Sequence, residues 1–88
     1  MWKVQKLMEG EYVILSLSGR LEGEELSDIA DMIRVEARSR SIVLDLMNVK
    51  LVDQDSVTFL ARCEARGTKL RNCPGYIREW ITKEKAAK

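Results

Sequence analysis

Residues 42–57 read Ile42-Val43-Leu44-Asp45-Leu46-Met47-Asn48-Val49-Lys50-Leu51-Val52-Asp53-Gln54-Asp55-Ser56-Val57. The run Ile42 to Met47 is short, nearly continuous and apolar, with Asp45 its one polar interruption. That is the pattern of a central parallel strand covered on both faces. Asp45 is expected to serve as an acceptor for nearby loop N–H groups. Leu51-Val52 then runs out into acidic residues, and a helix is expected from Val57 to Arg66. A strand end feeding a helix start brings free backbone N–H groups and the positive end of a helix dipole together. Loops placed in this way commonly carry binding or switching chemistry.

Upstream, Trp2, Val4 and Met8 alternate with Lys3 and Gln5. Glu9-Gly10-Glu11 supplies a turn, and Tyr12 to Ser18 resumes the alternation with Val13, Leu15 and Leu17 on one face, a hairpin signal. Gly19 to Gly23 is expected to break the strand. From Glu24 the period changes: Leu26, Ile29, Ala30, Ile33 and Ala37 share one helical face. Glu25, Asp28 and Asp31 crowd the early turns and Arg34, Arg38 and Arg40 the end, as the helix dipole favours, and Ser41 closes it.

Downstream, Gly67 is placed to end the second helix at C′. Thr68 to Cys73 reads as a weak strand near an edge. Pro74 opens a last helix at N1, with Ile77, Trp80 and Ile81 as its apolar stripe. Residues 1–82 form the expected single domain and 83–88 a polar C-terminal tail. The order β-β-α-β-α-β-α predicts an α/β fold with a four-stranded mixed sheet. Its hairpin is antiparallel, its other strands are parallel through right-handed crossovers, and its helices lie mainly on one face.

With 88 residues, 45% of them hydrophobic, the chain can bury one small core. It has no room for separate substrate and cofactor domains, which disfavours catalysis. The net charge of +1 provides no field to steer the chain to nucleic acid or to a membrane surface. Arg62, Arg66, Lys69, Arg71 and Arg78 lack the interleaved exposed aromatics of a nucleic-acid patch; Trp2, Tyr76 and Trp80 are expected at the edge of the core. Histidine is absent, which removes the commonest general base and metal ligand. There is no glycine-rich phosphate loop, and no cofactor is expected. No apolar run approaches the ~18 residues of a membrane span, and the charged start is a strand pattern, so a cytoplasmic location is expected. Cys63 and Cys73 form no CxxC pair and are expected as reduced thiols packing like small hydrophobes.

The acidic loop admits several chemistries. Counted from Asp53, a calcium loop would find Asp55 and Glu64 in place, but Val57 and Thr58 stand where a ligand and a turn glycine are needed. Asp53-Gln54-Asp55 after a strand also resembles the Asp-x-Asp of haloacid-dehalogenase-type phosphotransferases. The alternative function is accordingly a small metal-dependent phosphatase using Asp53 and Asp55, although such enzymes need further carboxylates and a basic residue on a longer scaffold. On a helical wheel of about 100° per residue, Phe59, Leu60 and Cys63 cluster together and Ser56 points into them. Asp55 lies opposite, in line with Thr58, Arg62 and Arg66, so Asp55 is displayed and Ser56 turned inward. Glu64 falls inside the apolar arc and must reach its edge. Beside these stands a purely local reading. Asp53 is then an N-cap worth about 1 kcal/mol and Asp55 a first-turn acid worth a few tenths.

Ile42 to Val49, Leu51-Val52-Asp53 and the stretch Val13-Ile14-Leu15-Ser16-Leu17-Ser18-Gly19-Arg20-Leu21, in this order, resemble the STAS domain of anti-sigma factor antagonists. The resemblance covers almost the whole chain. It implies a non-enzymatic regulatory module whose partner is a protein, an anti-sigma factor, serine kinase or related regulator, with neither nucleic acid nor membrane bound. In phosphorylated members the loop reads Asp-Ser-Ser-Gly, and a kinase modifies the second serine. Those positions correspond here to Asp53, Gln54, Asp55 and Ser56. The phosphosite-equivalent residue is thus Asp55, which has no hydroxyl. Ser56, one residue on and turned toward the core, is a disfavoured acceptor. The expected partner-binding residues are Asp53, Asp55, Thr58 and Arg62, with no catalytic, cofactor or metal residues and the usual phosphoswitch absent.

Overall fold

The computed structural model describes residues 2–86, apart from the side chains of Trp2 and Glu24. The elements are β1 (Trp2–Glu9), β2 (Tyr12–Leu21), α1 (Gly23–Glu36), β3 (Ser41–Val52), α2 (Gln54–Ala65), β4 (Lys69–Arg71) and α3 (Gly75–Ala86). The sheet has the order β1-β2-β3-β4. β1 pairs antiparallel with β2, while β2–β3 and β3–β4 are parallel. Each crossover carries the chain one strand further in the same direction, so the strand order never reverses. The crevice that a reversal opens at the carboxyl ends of doubly wound sheets is therefore not built into this topology.

Alternation sends Val13, Leu15 and Leu17 of β2 and Ile42, Leu44 and Leu46 of β3 to one face. There they meet Ile29 of α1, Leu60 of α2 and Ile77 and Ile81 of α3 in a single buried cluster. Each fully buried Leu or Ile is worth about 1.5–3 kcal/mol. On the opposite face Ile14 and Val43 are also buried, without a helix above them, and Lys69 lies 5.3 Å from the centre of the Tyr12 ring. The central-strand reading of β3 thus holds, although one of its faces is covered by side chains alone.

Several boundaries differ from the sequence expectation. β2 does not stop at Ser18 but continues to Leu21, because register shifts after Ser16 and Gly19 keep it paired with β3. Gly19, at φ 92°, takes the backbone through the second irregularity, a conformation costly for any residue with a Cβ. α1 ends at Glu36 rather than near Ser41; the N–H groups of Ser39 and Arg40 both turn back to the Glu36 carbonyl, and Ala37 lies outside the helix. α2 begins at Gln54, so Asp55 lies in its first turn and Asp53 immediately before it, instead of both lying in a loop ahead of a helix that starts at Val57. Pro74 precedes α3, and its carbonyl accepts from the Ile77 and Arg78 N–H groups, each at 3.0 Å.

Ile77 and Ile81 occupy the buried stripe of α3 and leave Trp80 and Tyr76 on the surface, 37% and 51% exposed; the Trp2 side chain lies outside the description. α3 also runs on through Ala86, since Glu84 and Lys85 find partners on α2. Residues 87–88 of the expected tail lie outside the described residues. Among the described residues, no helix is long and apolar enough to cross a membrane.

Candidate functional site

The site grows from Asp53, which has extended backbone and caps α2. Its Oδ1 accepts the Ser56 N–H at 2.8 Å, and its Oδ2 accepts the Gly23 N–H at 3.0 Å. One carboxylate therefore holds the first turns of both α1 and α2. The Ser56 hydroxyl, then the Ser56 and Gly23 N–H groups, hold the Asp53 carboxyl below the usual carboxylate range against the opposing effect of burial.

Ser56 is fully buried, in agreement with the helical wheel. Its Oγ lies 2.7 Å from the Leu21 carbonyl oxygen and 2.7 Å from Asp53 Oδ1, so its single hydrogen serves two acceptors. Asp55, one residue earlier, is exposed and leans over the start of α1. A Cβ at Gly23 would stand 3.1 Å from Asp55 Oδ2, so the absence of a side chain at Gly23 admits this approach.

The remaining expected contact residues separate. Thr58 is half-buried, and its hydroxyl donates to Glu84 Oε1 at 3.1 Å; Gln54 donates to Glu84 Oε2 at 2.9 Å. Arg62 is exposed one turn further along α2. The structure thus leaves Asp55 and Arg62 open to solvent, engages Thr58 with α3, and turns Asp53 inward as a cap. Among the described residues, no three His, Cys, Asp or Glu side chains come together as a metal-binding group. Glu64, the twelfth position of the calcium reading, is taken up elsewhere.

That engagement of Glu64 is the feature sequence reasoning missed. Arg78 of α3 grips it in a fork, with bonds of 2.9 and 2.8 Å, and Lys85 bonds it as well. The Arg78 bonds, followed after the opposing effect of burial by Lys85, lower the Glu64 carboxyl to about 2. A depressed carboxylate contributes stability above its unfolded value, and the contribution disappears as pH falls toward the folded one. Arg78 and Lys85 are each about two-fifths exposed, so solvent screening reduces the contribution to about 1–2 kcal/mol. Glu64→Gln is expected to lose that much at pH 7 in urea unfolding, with the difference from wild type narrowing between pH 4.5 and 2. A constant difference across that range would show that the ion pairs are not its source.

The five basic residues of the nucleic-acid reading do not assemble into one patch. Arg71 bonds Asp45 at 3.2 Å, Arg78 holds Glu64, and Lys69 covers Tyr12, leaving Arg62 and Arg66 on the outer stripe of α2. Asp45 is an acceptor as expected, although Met47 provides its one backbone N–H and Arg71 and Asn72 its other donors. Burial pushes the Asp45 carboxyl up, but the Met47 N–H with Asn72 and Arg71 outweighs it and brings it below the ordinary value. Both cysteines are free; burial raises the Cys63 thiol to about 11, which leaves almost no thiolate at neutral pH.

No protein-family model matches the sequence, and no curated protein matches it. Solved structures do match it. The anti-sigma factor antagonist SpoIIAA in its unphosphorylated form has a TM-score of 0.68 at 19% identity, covering 97% of this chain and 94% of its own. An uncharacterized protein from Shewanella loihica with a SpoIIAA-like fold has a TM-score of 0.59 at 8% identity, covering 98% of this chain and 77% of its own. Mglu has a TM-score of 0.63 at 23% identity over 81% of this chain, which spans only 19% of the Mglu chain. These likenesses establish a STAS-like α/β fold of the SpoIIAA type.

Proposed function

We propose that this chain, on its SpoIIAA-like scaffold, is a non-enzymatic regulatory module of the cytoplasm that works by binding a protein, an anti-sigma factor, serine kinase or related regulator. The contact face is the start of α2 and its outer side as far as Arg62. Asp55 and Arg62 offer opposite charges there, Thr58 lies between them, and Asp53 holds the turn in place. Partner choice comes from complementary charge and shape rather than from turnover.

The observation that supports this reading most directly is the contrast within one turn of α2. Asp55 is exposed at the position where the STAS resemblance places the phosphorylated serine, while the neighbouring hydroxyl of Ser56 is buried against Leu21. Asp55 carries a carboxylate where a phosphoserine would carry about −1.5 to −2, so this position offers an acidic group without a kinase.

Incubation with an anti-sigma serine kinase and ATP is expected to leave the wild-type chain unmodified and to phosphorylate Asp55→Ser. Phosphate found on wild-type Ser56 by mass spectrometry would overturn the assignment. In partner capture from the native host, Asp55→Ala and Arg62→Ala are each expected to weaken recovery of the bound protein at least about tenfold. Unchanged capture by both variants would place the contact face elsewhere.

A further inference from the structure

α1 and α2 each return the chain between parallel strands, so they run in the same direction and their C-terminal halves lie side by side. Between those halves is an open groove of about 540 Å³. Its walls include Ala30, Ile33 and Ala37 from the α1 side and Phe59 and Cys63 from α2. Ala30 and Ile33 share one face of α1 and Ala37 follows just past its end, and at two of these three positions the side chain is only a methyl group. Ala30, Ile33 and Phe59 are half-buried, Cys63 is buried and Ala37 is exposed, so small and apolar side chains line much of the groove.

Its banks are basic. Arg34 and Arg38 rise on one side and Arg62 and Arg66 on the other. Arg34 reaches Asp31, an ion pair whose side chains are 70% and 63% exposed and which is therefore well screened. Among the described residues, Arg38, Arg62 and Arg66 have no acidic partner. Helix C-termini favour cations, but each terminus carries only about half a negative charge. Two arginines at each of two adjoining termini exceed that requirement and leave a positive surplus around an apolar lining.

We infer that this groove docks an acidic amphipathic helix of a partner protein, with its apolar stripe on Ile33 and Phe59 and its carboxylates forked by the arginines. Guanidinium groups match carboxylates bidentately, and apolar anchors flanked by charge are how helices seat in grooves. This surface is distinct from the face at the start of α2. Asp55 and Arg66 lie about 16 Å apart along the helix axis at about 1.5 Å per residue, and Arg62 alone belongs to both. The inference stands whether or not that first face binds the proposed regulator.

The probe is a fluorescein-labelled synthetic peptide of about 16 residues, long enough to form helix on binding, with leucine at i, i+4, i+7 spacing and glutamate elsewhere. Titrated with the full chain, it is expected to bind saturably in fluorescence anisotropy and to weaken as salt rises. The same peptide with lysine for glutamate is expected not to bind. Arg38→Glu with Arg66→Glu should weaken binding at least about tenfold. Ala37→Trp, which adds bulk to the groove's lining without changing charge, should also weaken it, and Asp55→Ala should leave it unchanged. Amide chemical-shift changes should fall on residues 30–38 and 59–68. The inference is overturned by equal binding of the lysine peptide, by unchanged binding in the folded double-arginine variant, by shifts centred on the start of α2, or by tighter binding of a single-stranded oligonucleotide than of the acidic peptide.

Discussion

Replacing Ser56 with aspartate, the usual imitation of a phosphorylated serine, is expected to unfold this chain or bring it close to unfolding. Ser56 is 0% exposed, and its Oγ faces two acceptors, the Leu21 carbonyl and Asp53 Oδ1, each at 2.7 Å. A carboxylate there accepts but does not donate, so it meets two oxygens of like polarity at a position closed to solvent. A buried, unpaired charge of this kind costs about 3–5 kcal/mol. A domain of this size has only about 4–13 kcal/mol in total. Ser56→Ala removes one hydroxyl and leaves Leu21 O short of a donor, which costs about 1–2 kcal/mol. Asp55→Ser, at an exposed position, should stay within about 0.5 kcal/mol of wild type. Urea unfolding followed by circular dichroism separates the three. A Ser56→Asp protein as stable as wild type would mean that this side chain reaches solvent after all. The functional corollary is that loss of partner binding in Ser56→Asp reports lost folding, not a switch.

The second large effect is expected at Asp53. Truncation to alanine removes the cap on α2, the acceptor for the Ser56 hydroxyl and the acceptor for the Gly23 N–H together. An N-cap alone is worth about 0.5–2 kcal/mol, and a hydrogen bond to a charged group about 1.5–3. Because the three share one carboxylate they are not additive, and a total of about 2–4 kcal/mol is expected. Asp53→Asn keeps one acceptor oxygen and should cost about half as much. The Asp53 carboxyl sits below its ordinary value in the folded chain. Its contribution is therefore complete above the unfolded value of about 4 and is lost as pH falls further. In paired acid titrations, wild type should approach Asp53→Asn as the medium is acidified. If Asp53→Ala shifted the unfolding midpoint no more than a surface substitution, the carboxylate would not be joining the two helices.

What the sequence disclosed and what it concealed follow one physical division. β3, the capping of α2 by Asp53 and the inward turn of Ser56 depend on periodicity and on chemistry within one helical turn, and these were legible. The extension of β2 through Gly19 to Leu21 depends on a bulge that matters only once β3 lies alongside. The persistence of α3 to Ala86 depends on Glu84 and Lys85 meeting α2 across 21 or more residues of chain. Glu64 looked misplaced inside an apolar arc because its partners, Arg78 and Lys85, belong to a helix whose docking no local pattern encodes. Likewise, Thr58 reads as an open contact residue until Glu84 arrives beside it. The groove between α1 and α2 was invisible for the same reason: its arginines lie on two helices, and only packing brings the two pairs to facing banks.

The double attachment of Asp53 has a further consequence. Two adjacent helix beginnings, each with unsatisfied N–H groups and a partial positive charge, make the kind of seat that sulfate or phosphate takes in many proteins. Here the chain supplies the occupant itself, an internal counter-ion fixed by covalent bonds to the strand that delivers it. Such an occupant is present at every concentration of free anion and leaves only when the fold opens or the carboxylate takes a proton. The junction of α1 and α2 is thereby insulated from the phosphate concentration around it, and its charge state is set by acidity instead.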